Sequence, residues 1–464
     1  MKVLYILSAL GVIALLAEIF KFKKFLFPVI LLGLLAAGAF VYIDRNAPMN
    51  PMFHDMLDFN RYALLFTLVI LGTAFLWFMM AGNFFKEESS RTDHFALVLF
   101  ALSGAVILVS YSNMVMLFLG IEILSIPLYV LAGSRKDDLS SNESALKYFL
   151  MGAFASGFLL FGIALLYGVF GTFSLHTIQT YLTPPIPSQA RPSDSQWILL
   201  SGGILFMLVG MSFKISAVPF HFWAPDVYTG APTQVTAFMS SIVKTAAFAA
   251  FFRLFICFAN TAQTWTNIIW AMSAATMVLG NITAVYQNNV KRMLAYSSIS
   301  HAGYMLLAIL SMNNNSAGSI LYYAAAYSVS TIGAFAVLTI LEKENQITFD
   351  SFSGLAKRNP LLALAMCIAM LSLSGIPPLA GFFGKYYIFT SALTSGYVWI
   401  VLIAVLGSLI GVYYYFRVII AMYLKESSET SVIEVSTMQK ILLVITIVLT
   451  IILGIFPDAV IRLI

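Results

Sequence analysis

Charge is scarce in this chain. Only 10% of its 464 residues are Asp, Glu, Lys or Arg, against about 25% in an ordinary soluble domain. Apolar residues make up 60% and mean hydropathy is +0.91. A water-soluble enzyme and a disordered chain are therefore excluded. The net charge of +5 comes from few residues and forms no basic block long enough to track phosphates, which excludes a nucleic-acid binder. Cysteine is nearly absent: Cys257 and Cys367 lie in apolar runs, form no CxxC, and read as small core residues. Two cysteines cannot staple a disulfide scaffold or ligate an iron–sulfur cluster. Among the five histidines only His301 is mid-span, so a transmembrane pair for a haem is lacking. Gly384-Lys385-Tyr386 lacks the leading glycine and the Ser or Thr of a P-loop, and no GxGxxG follows a strand. Energy must reach such a chain from a partner or an ion gradient.

Long apolar runs are what the sequence has. A helix needs roughly 20 apolar residues to cross the hydrocarbon. Fourteen runs qualify, near 4–20, 25–43, 62–82, 95–110, 113–133, 145–170, 197–218, 234–258, 265–286, 290–311, 318–341, 360–395, 398–424 and 438–456. The first is too long for a signal peptide and runs into a second span, so it reads as a mature helix. Of the 25 Lys and Arg, fourteen lie in loops that follow odd-numbered spans and five on the opposite side. This bias places both termini outside and the odd loops in the cytoplasm. Thr183-Pro184-Pro185-Ile186-Pro187 reads as a stiff extracytoplasmic loop. The fold class is an all-α polytopic membrane protein without a soluble domain.

Two places break helix rules inside apolar territory. Phe213-Lys214 leads through Pro219 to Phe220-His221-Phe222-Trp223-Ala224-Pro225-Asp226, and Ser374-Gly375-Ile376-Pro377-Pro378 leads to Phe382-Phe383-Gly384-Lys385. Proline removes an N–H and clashes with the preceding turn, so both sites unwind. A simple kink is the alternative. Spacing favours more: five spans cover 95–258 and five cover 265–424, each set holding one break with a lysine nearby. Five is odd, so the second set runs inverted relative to the first, a transporter signature. The expected organisation is a three-helix segment over 1–90, a five-helix repeat over 91–260, an inverted repeat over 261–425 and a C-terminal helix over 426–464.

An ionised side chain at mid-bilayer costs about 2.5–3.5 kcal/mol, so each one needs a reason. Glu122 is mid-span in the fifth run, Lys244 in the eighth and His301 in the tenth; Lys214 precedes the first break and Lys385 follows the second. Three lysines for one central glutamate exceed a structural salt bridge. Two charges about 6 Å apart interact by roughly 3 kcal/mol at an effective dielectric of 20, enough to switch a lysine between holding and releasing a proton. A proton relay is the chemistry this set suits; inert pairing is the alternative. Lys147 sits four residues after Glu143, where a helix-stabilising pair explains it equally well. Glu18, Arg253 and Arg417 lie near span ends and can snorkel. His221 reads as a cap on polar backbone. Tyr286, Tyr296, Tyr304 and Tyr413-Tyr414-Tyr415 read as packing or interface aromatics.

Taken together, Phe118 to Tyr129, Ala145-Leu146-Lys147-Tyr148-Phe149, Phe213 to Pro232, Asn288 to Tyr304 and Ser374 to Lys385 resemble the antiporter-like membrane subunits of respiratory complex I (NADH:quinone oxidoreductase). The family includes the mitochondrial subunit 2 and is related to subunits of cation/proton antiporters. Phe222-Trp223-Ala224-Pro225-Asp226-Val227-Tyr228 is similar to the N branch, and the chain lacks the long C-terminal lateral helix of the L branch. The resemblance covers about residues 90–425. It implies two inverted five-helix bundles, and a proton relay of Glu122, Lys147 (modulating), Lys214, Lys244, His301 and Lys385. It implies no cofactor or metal in this chain, with NADH, FMN, iron–sulfur clusters and quinone in other subunits. It implies neighbouring antiporter-like and small membrane subunits as partners, in the bacterial inner membrane. A subunit of a multisubunit cation/proton antiporter is the second reading. A passive scaffold and a stand-alone solute transporter are the others.

Overall fold

The computed structural model describes residues 2–20, 22–44, 55–82, 91–183, 193–342, 347–426 and 433–463. The proline-rich stretch 184–187 and several loop cations, among them Lys86, Arg191 and Lys343, lie outside the described residues. The helices run in order: α1 (Lys2–Ile19), α2 (Lys23–Asp44), α3 (Arg61–Ala81), α4 (Arg91–Ser110), α5 (Met114–Ala132), α6 (Leu139–Phe170), α7 (Leu175–Leu182), α8 (Asp194–Ile215), α9 (Trp223–Gly230) and α10 (Thr233–Phe238). They continue with α11 (Lys244–Cys257), α12 (Ala262–Val285), α13 (Val290–Ser311), α14 (Ser316–Leu341), α15 (Leu355–Arg358), α16 (Pro360–Ser374), α17 (Ala380–Thr394), α18 (Val398–Leu424), α19 (Thr437–Ile455) and α20 (Asp458–Ile461). Among the described residues there is no strand, only isolated bridges such as Asn289–Thr348.

Thirteen stretches of described residues are long and apolar enough to cross a membrane. The fourteenth pass is divided between α16 and α17, of 15 residues each. At 1.5 Å per residue each half spans about 22 Å, short of the roughly 30 Å hydrocarbon, so only the pair can cross. The stretch Thr233–Cys257 is buried along its whole length, and α13 and α14 nearly so. Around them α1, α2, α6, α18 and α19 expose large apolar side chains, as lipid-facing helices do.

Both breaks adjoin the fourth pass of a five-pass set: in the first the chain unwinds after α8, itself long enough to cross, before the short α9, and in the second it unwinds between α16 and α17. Connectivity brings the two broken passes in from opposite ends of the bundle. Each first half ends on a left-handed residue, Ser216 (φ 60°) and Gly375 (φ 87°). A Cβ on Gly375 would also meet the side chain of Lys385 at 3.0 Å, which is why glycine suits this position. The freed backbone is answered by protein groups: Val218 N–H donates to Thr276 Oγ1 (2.9 Å), Trp223 Nε1–H to Phe213 O (3.0 Å), and Gly381 N–H to Ser372 Oγ (3.1 Å). Unwound backbone inside a membrane protein needs this cover.

Candidate functional site

Lys214 is buried in the last turn of α8, where the C-terminal carbonyls favour a cation. Its Nζ donates to Ser125 Oγ on α5 (2.5 Å) and sits 5.8 and 6.0 Å from the rings of Tyr129 and Tyr148. Glu122 lies one turn before Ser125 and is half-buried; its carboxylate accepts from Ser156 on α6. The expected Glu122–Lys214 contact is therefore not made. Each charge takes a serine of the α5–α6 pair, and no direct ion pair joins them.

Lys244 opens α11 immediately after a π-helical turn, Met239–Val243. The wider turn displaces the backbone by one residue and rotates the following side chains, a device common at functional sites. Lys244 is 1% exposed, and its Nζ donates to the carbonyl of Ser298 in the middle of α13. One residue back, the hydroxyls of Ser297 and Tyr415 bond each other. The Tyr415 hydroxyl also meets His301 Nε2 at 3.0 Å, and His301 Nδ1 meets the Tyr323 hydroxyl at 2.5 Å. A cavity of about 10 Å³ lies beyond, lined by His301, Tyr323, Ser330 and Ser372, and reaches Gly381 at the second break. That is about the volume one water needs, and the lining offers several polar partners.

Lys385 is 6% exposed. Its Nζ donates to the Ser374 carbonyl (2.8 Å) and to Ser408 Oγ (2.7 Å), 5.3 Å from the Tyr304 ring. Ser374 is the last residue of α16, so its carbonyl lacks a partner within the helix. Lys214 stands in the last turn of the half-helix before the first break, and Lys385 reaches back to the last carbonyl of the half-helix before the second. Lys244, His301 and Lys385 lie between the π turn and the second break, with Lys214 and Glu122 in the first five-helix set.

Lys147 stands apart. It is half-exposed, paired with Glu143 (2.6 Å) and Asp226 (2.8 Å), in an open cavity of about 290 Å³ shared with Arg292. The helix-stabilising pair read from the spacing is present, and Asp226 is added to it.

The structure also places the other residues singled out in the sequence. Arg253 reaches the span ends, as a snorkelling side chain does, and pairs there with Asp58 before α3 (3.0 Å) and the Val109 carbonyl in the last turn of α4 (3.1 Å). Arg417 donates to the Val285 carbonyl (2.8 Å) and lies 4.0 Å from the centre of the Phe349 ring. The His221 ring meets the Pro219 backbone, in line with the capping reading, and its Nδ1 is enclosed without a partner. Tyr414 and Tyr415 are buried hydrogen-bonding groups, whereas Tyr413 and Tyr286 are exposed. Lys291, assigned to a loop by its position, is a fourth buried lysine; its Nζ donates to the Ala231 carbonyl at the end of α9 (2.6 Å). The polar run Ser297-Ser298 and the tyrosines at 323 and 415 were visible as letters, but no spacing rule links helices this far apart in sequence.

Fold and site define a polytopic membrane protein with two broken passes and a buried series of lysines and a histidine, the arrangement of an ion-translocating membrane subunit. Residues 111–411 match the family described as NADH:quinone oxidoreductase/Mrp antiporter, transmembrane. The NADH-quinone oxidoreductase subunit N of Cytophaga hutchinsonii is 43% identical over 99% of this chain and 98% of its own length. That of Flavobacterium psychrophilum is 44% identical over the full length of both. A chain of respiratory complex I from Thermus thermophilus, solved with bound aureothin, superposes with a TM-score of 0.83 at 34% identity, covering 99% of this chain and 98% of that one. The chain belongs to the NADH:quinone oxidoreductase/Mrp antiporter family and, within it, to subunit N of NADH-quinone oxidoreductase.

Proposed function

We propose that the chain conducts protons across the bacterial inner membrane as one channel unit of complex I, through Glu122, Lys147, Lys214, Lys244, His301 and Lys385. The observation that carries this reading is the hydroxyl-linked series from Ser297 through Tyr415 and His301 to Tyr323, set between two buried lysines. Glu122 and Lys214 form the switchable element, each held by its own serine, Ser156 and Ser125. Lys244 is the central carrier, and His301 passes the proton toward Lys385 and the exit. Lys147 acts from outside this line, through the charge of its cluster. Both termini face the extracytoplasmic side, and the two five-helix repeats occupy 91–260 and 261–425, between a segment over 1–90 and a helix over 426–464.

An iron–sulfur cluster finds no ligand set among the described residues. Cys257 is buried against a backbone carbonyl, and among the described residues no group of three His, Cys, Asp or Glu could hold a metal. NADH, FMN, iron–sulfur clusters and quinone are assigned to other subunits, and neighbouring antiporter-like and small membrane subunits to its flanks. Quinone reduction elsewhere would supply the displacement that changes the Glu122–Lys214 interaction. The experiment is to tag the chain, extract membranes in mild detergent and assay the co-purifying material. Iron–sulfur and flavin subunits with NADH:quinone activity are expected. A few hydrophobic chains without NADH activity, and ion exchange in vesicles, would instead identify an Mrp-type antiporter, the other member of the matched family.

A further inference from the structure

Asp226 and Glu342 stand at the same end of the bundle, one on each five-helix set, and each takes a cation from both sets. Asp226, on α9 of the first set, is paired with Lys147 of α6 (2.8 Å) and with Arg292 of α13 in the second set (3.1 Å). Glu342, capping α14 of the second set, is paired with Lys291 of α13 (3.9 Å) and with Arg135 of the α5–α6 connection in the first set (3.1 Å). Neither carboxylate lies in a membrane-spanning stretch: Asp226 falls between Ile215 and Thr233, and Glu342 follows Leu341. Both are held below the ordinary carboxylate range. Burial pushes each up, but Lys147 and Arg292 prevail at Asp226, and Lys291 and Arg135 at Glu342.

What this double bridge holds is α9. Arg292 grips its Asp226, and the adjacent Lys291 grips the Ala231 carbonyl at its C-terminal end. At the other end of α9, Trp223 Nε1 holds the Phe213 carbonyl, next to Lys214, and its ring stacks on Tyr148 at 4.7 Å. The same α13 carries His301, ten residues on, or about 15 Å along the helix. A rigid half-helix therefore ties the Lys214 end of the first set to the His301 helix of the second.

We propose that the Asp226–Arg292 and Glu342–Lys291 bridges, completed by Lys147 and Arg135, form a latch that positions α9 between Lys214 and His301, so that displacement at the first break is transmitted to the second five-helix set. This deepens the relay reading and rests on it. These are positioning residues, and their loss acts on coupling.

The test uses the intact complex reconstituted in liposomes, with protons moved per electron measured beside NADH:quinone turnover in the presence of a protonophore. Asp226→Asn and Glu342→Gln should each lower the proton-to-electron ratio, by at most the share that this one channel unit contributes to the complex. Assembly and uncoupled turnover should stay near wild type. Asp226→Glu and Arg292→Lys should restore the ratio, and Asp226→Asn with Arg292→Gln should be no worse than either alone, because they act as one unit. An unchanged ratio in Asp226→Asn and Glu342→Gln overturns the latch. So does an equal loss of assembly and turnover that Asp226→Glu does not rescue, which would mark a purely structural bridge. Lys244→Ala in the same assay separates the two claims. If it leaves the ratio intact, the relay itself fails; if it lowers the ratio and Asp226→Asn does not, only the latch fails.

Discussion

Replacing Tyr415 by Phe removes one oxygen and leaves the ring. In the structure that oxygen is the shared partner of Ser297 Oγ and His301 Nε2, in a position 1% exposed. Without it, two buried polar atoms lose their contact to each other's side of the path. Leaving a buried polar group unsatisfied costs about 1–3 kcal/mol. If the proton crosses between Ser297 and His301 through this hydroxyl, that cost falls on the transfer step. At 1.4 kcal/mol per tenfold, the step slows by roughly 5- to 150-fold. Tyr111→Phe is the matched control: Tyr111 is equally buried and its hydroxyl donates to the Ala250 carbonyl (2.8 Å), away from this path. The assay is proton movement per electron in liposomes holding the whole complex, with NADH:quinone turnover followed in parallel. Tyr415→Phe should lower the ratio with the complex assembled, and Tyr111→Phe should not. A wild-type ratio in Tyr415→Phe, or an equal fall in both variants, would refute the hydroxyl bridge.

Three further outcomes follow from the geometry. Gly375→Ala places a Cβ 3.0 Å from the Lys385 side chain at a left-handed backbone position, so it should destabilise by about 1–2 kcal/mol and lower pumping; unfolding of the solubilised complex and vesicle acidification check both. Ser125→Ala removes the hydroxyl that Lys214 Nζ donates to (2.5 Å), and should reduce pumping more than Ser134→Ala, a half-buried serine whose enclosed hydroxyl has no partner. Because Glu342 is held below its ordinary range, its stabilisation is complete well above that range, about pH 4.3, and is lost as pH falls through it. The difference in thermal stability between wild type and Glu342→Gln should therefore be constant from neutral pH down to about 5.5 and shrink below that. A difference that shrinks between about pH 7 and 6 would contradict the pairing with Lys291 and Arg135.

Hydropathy made the passes legible because transfer to lipid depends on the segment's own residues. The run 398–424 coincides with α18, and proline marked both breaks, since missing N–H groups are a local property. The lysines at 214, 244 and 385 could be singled out because mid-membrane charge is costly wherever it occurs. What surrounds them was not legible. Ser125, Ser156, Tyr323 and Tyr415 reach the site from helices up to 118 residues from their partners, and only packing decides which serine or tyrosine faces inward. Lys291 looked like a loop cation because it stands at the start of α13, yet the end of α9 covers it. Arg253 could be read as reaching a span end, but its partners there, Asp58 and the Val109 carbonyl, could not be named from the sequence. The π turn before Lys244 has no proline or glycine within Met239–Val243 to announce it.

The claim at the centre of this account is that the buried lysines carry protons. The most direct measurement is the proton-to-electron ratio of the reconstituted complex with Lys244→Ala, the variant that empties the position bonded to the Ser298 carbonyl. The account predicts an assembled complex that oxidises NADH and moves fewer protons per electron. A ratio equal to wild type would contradict it.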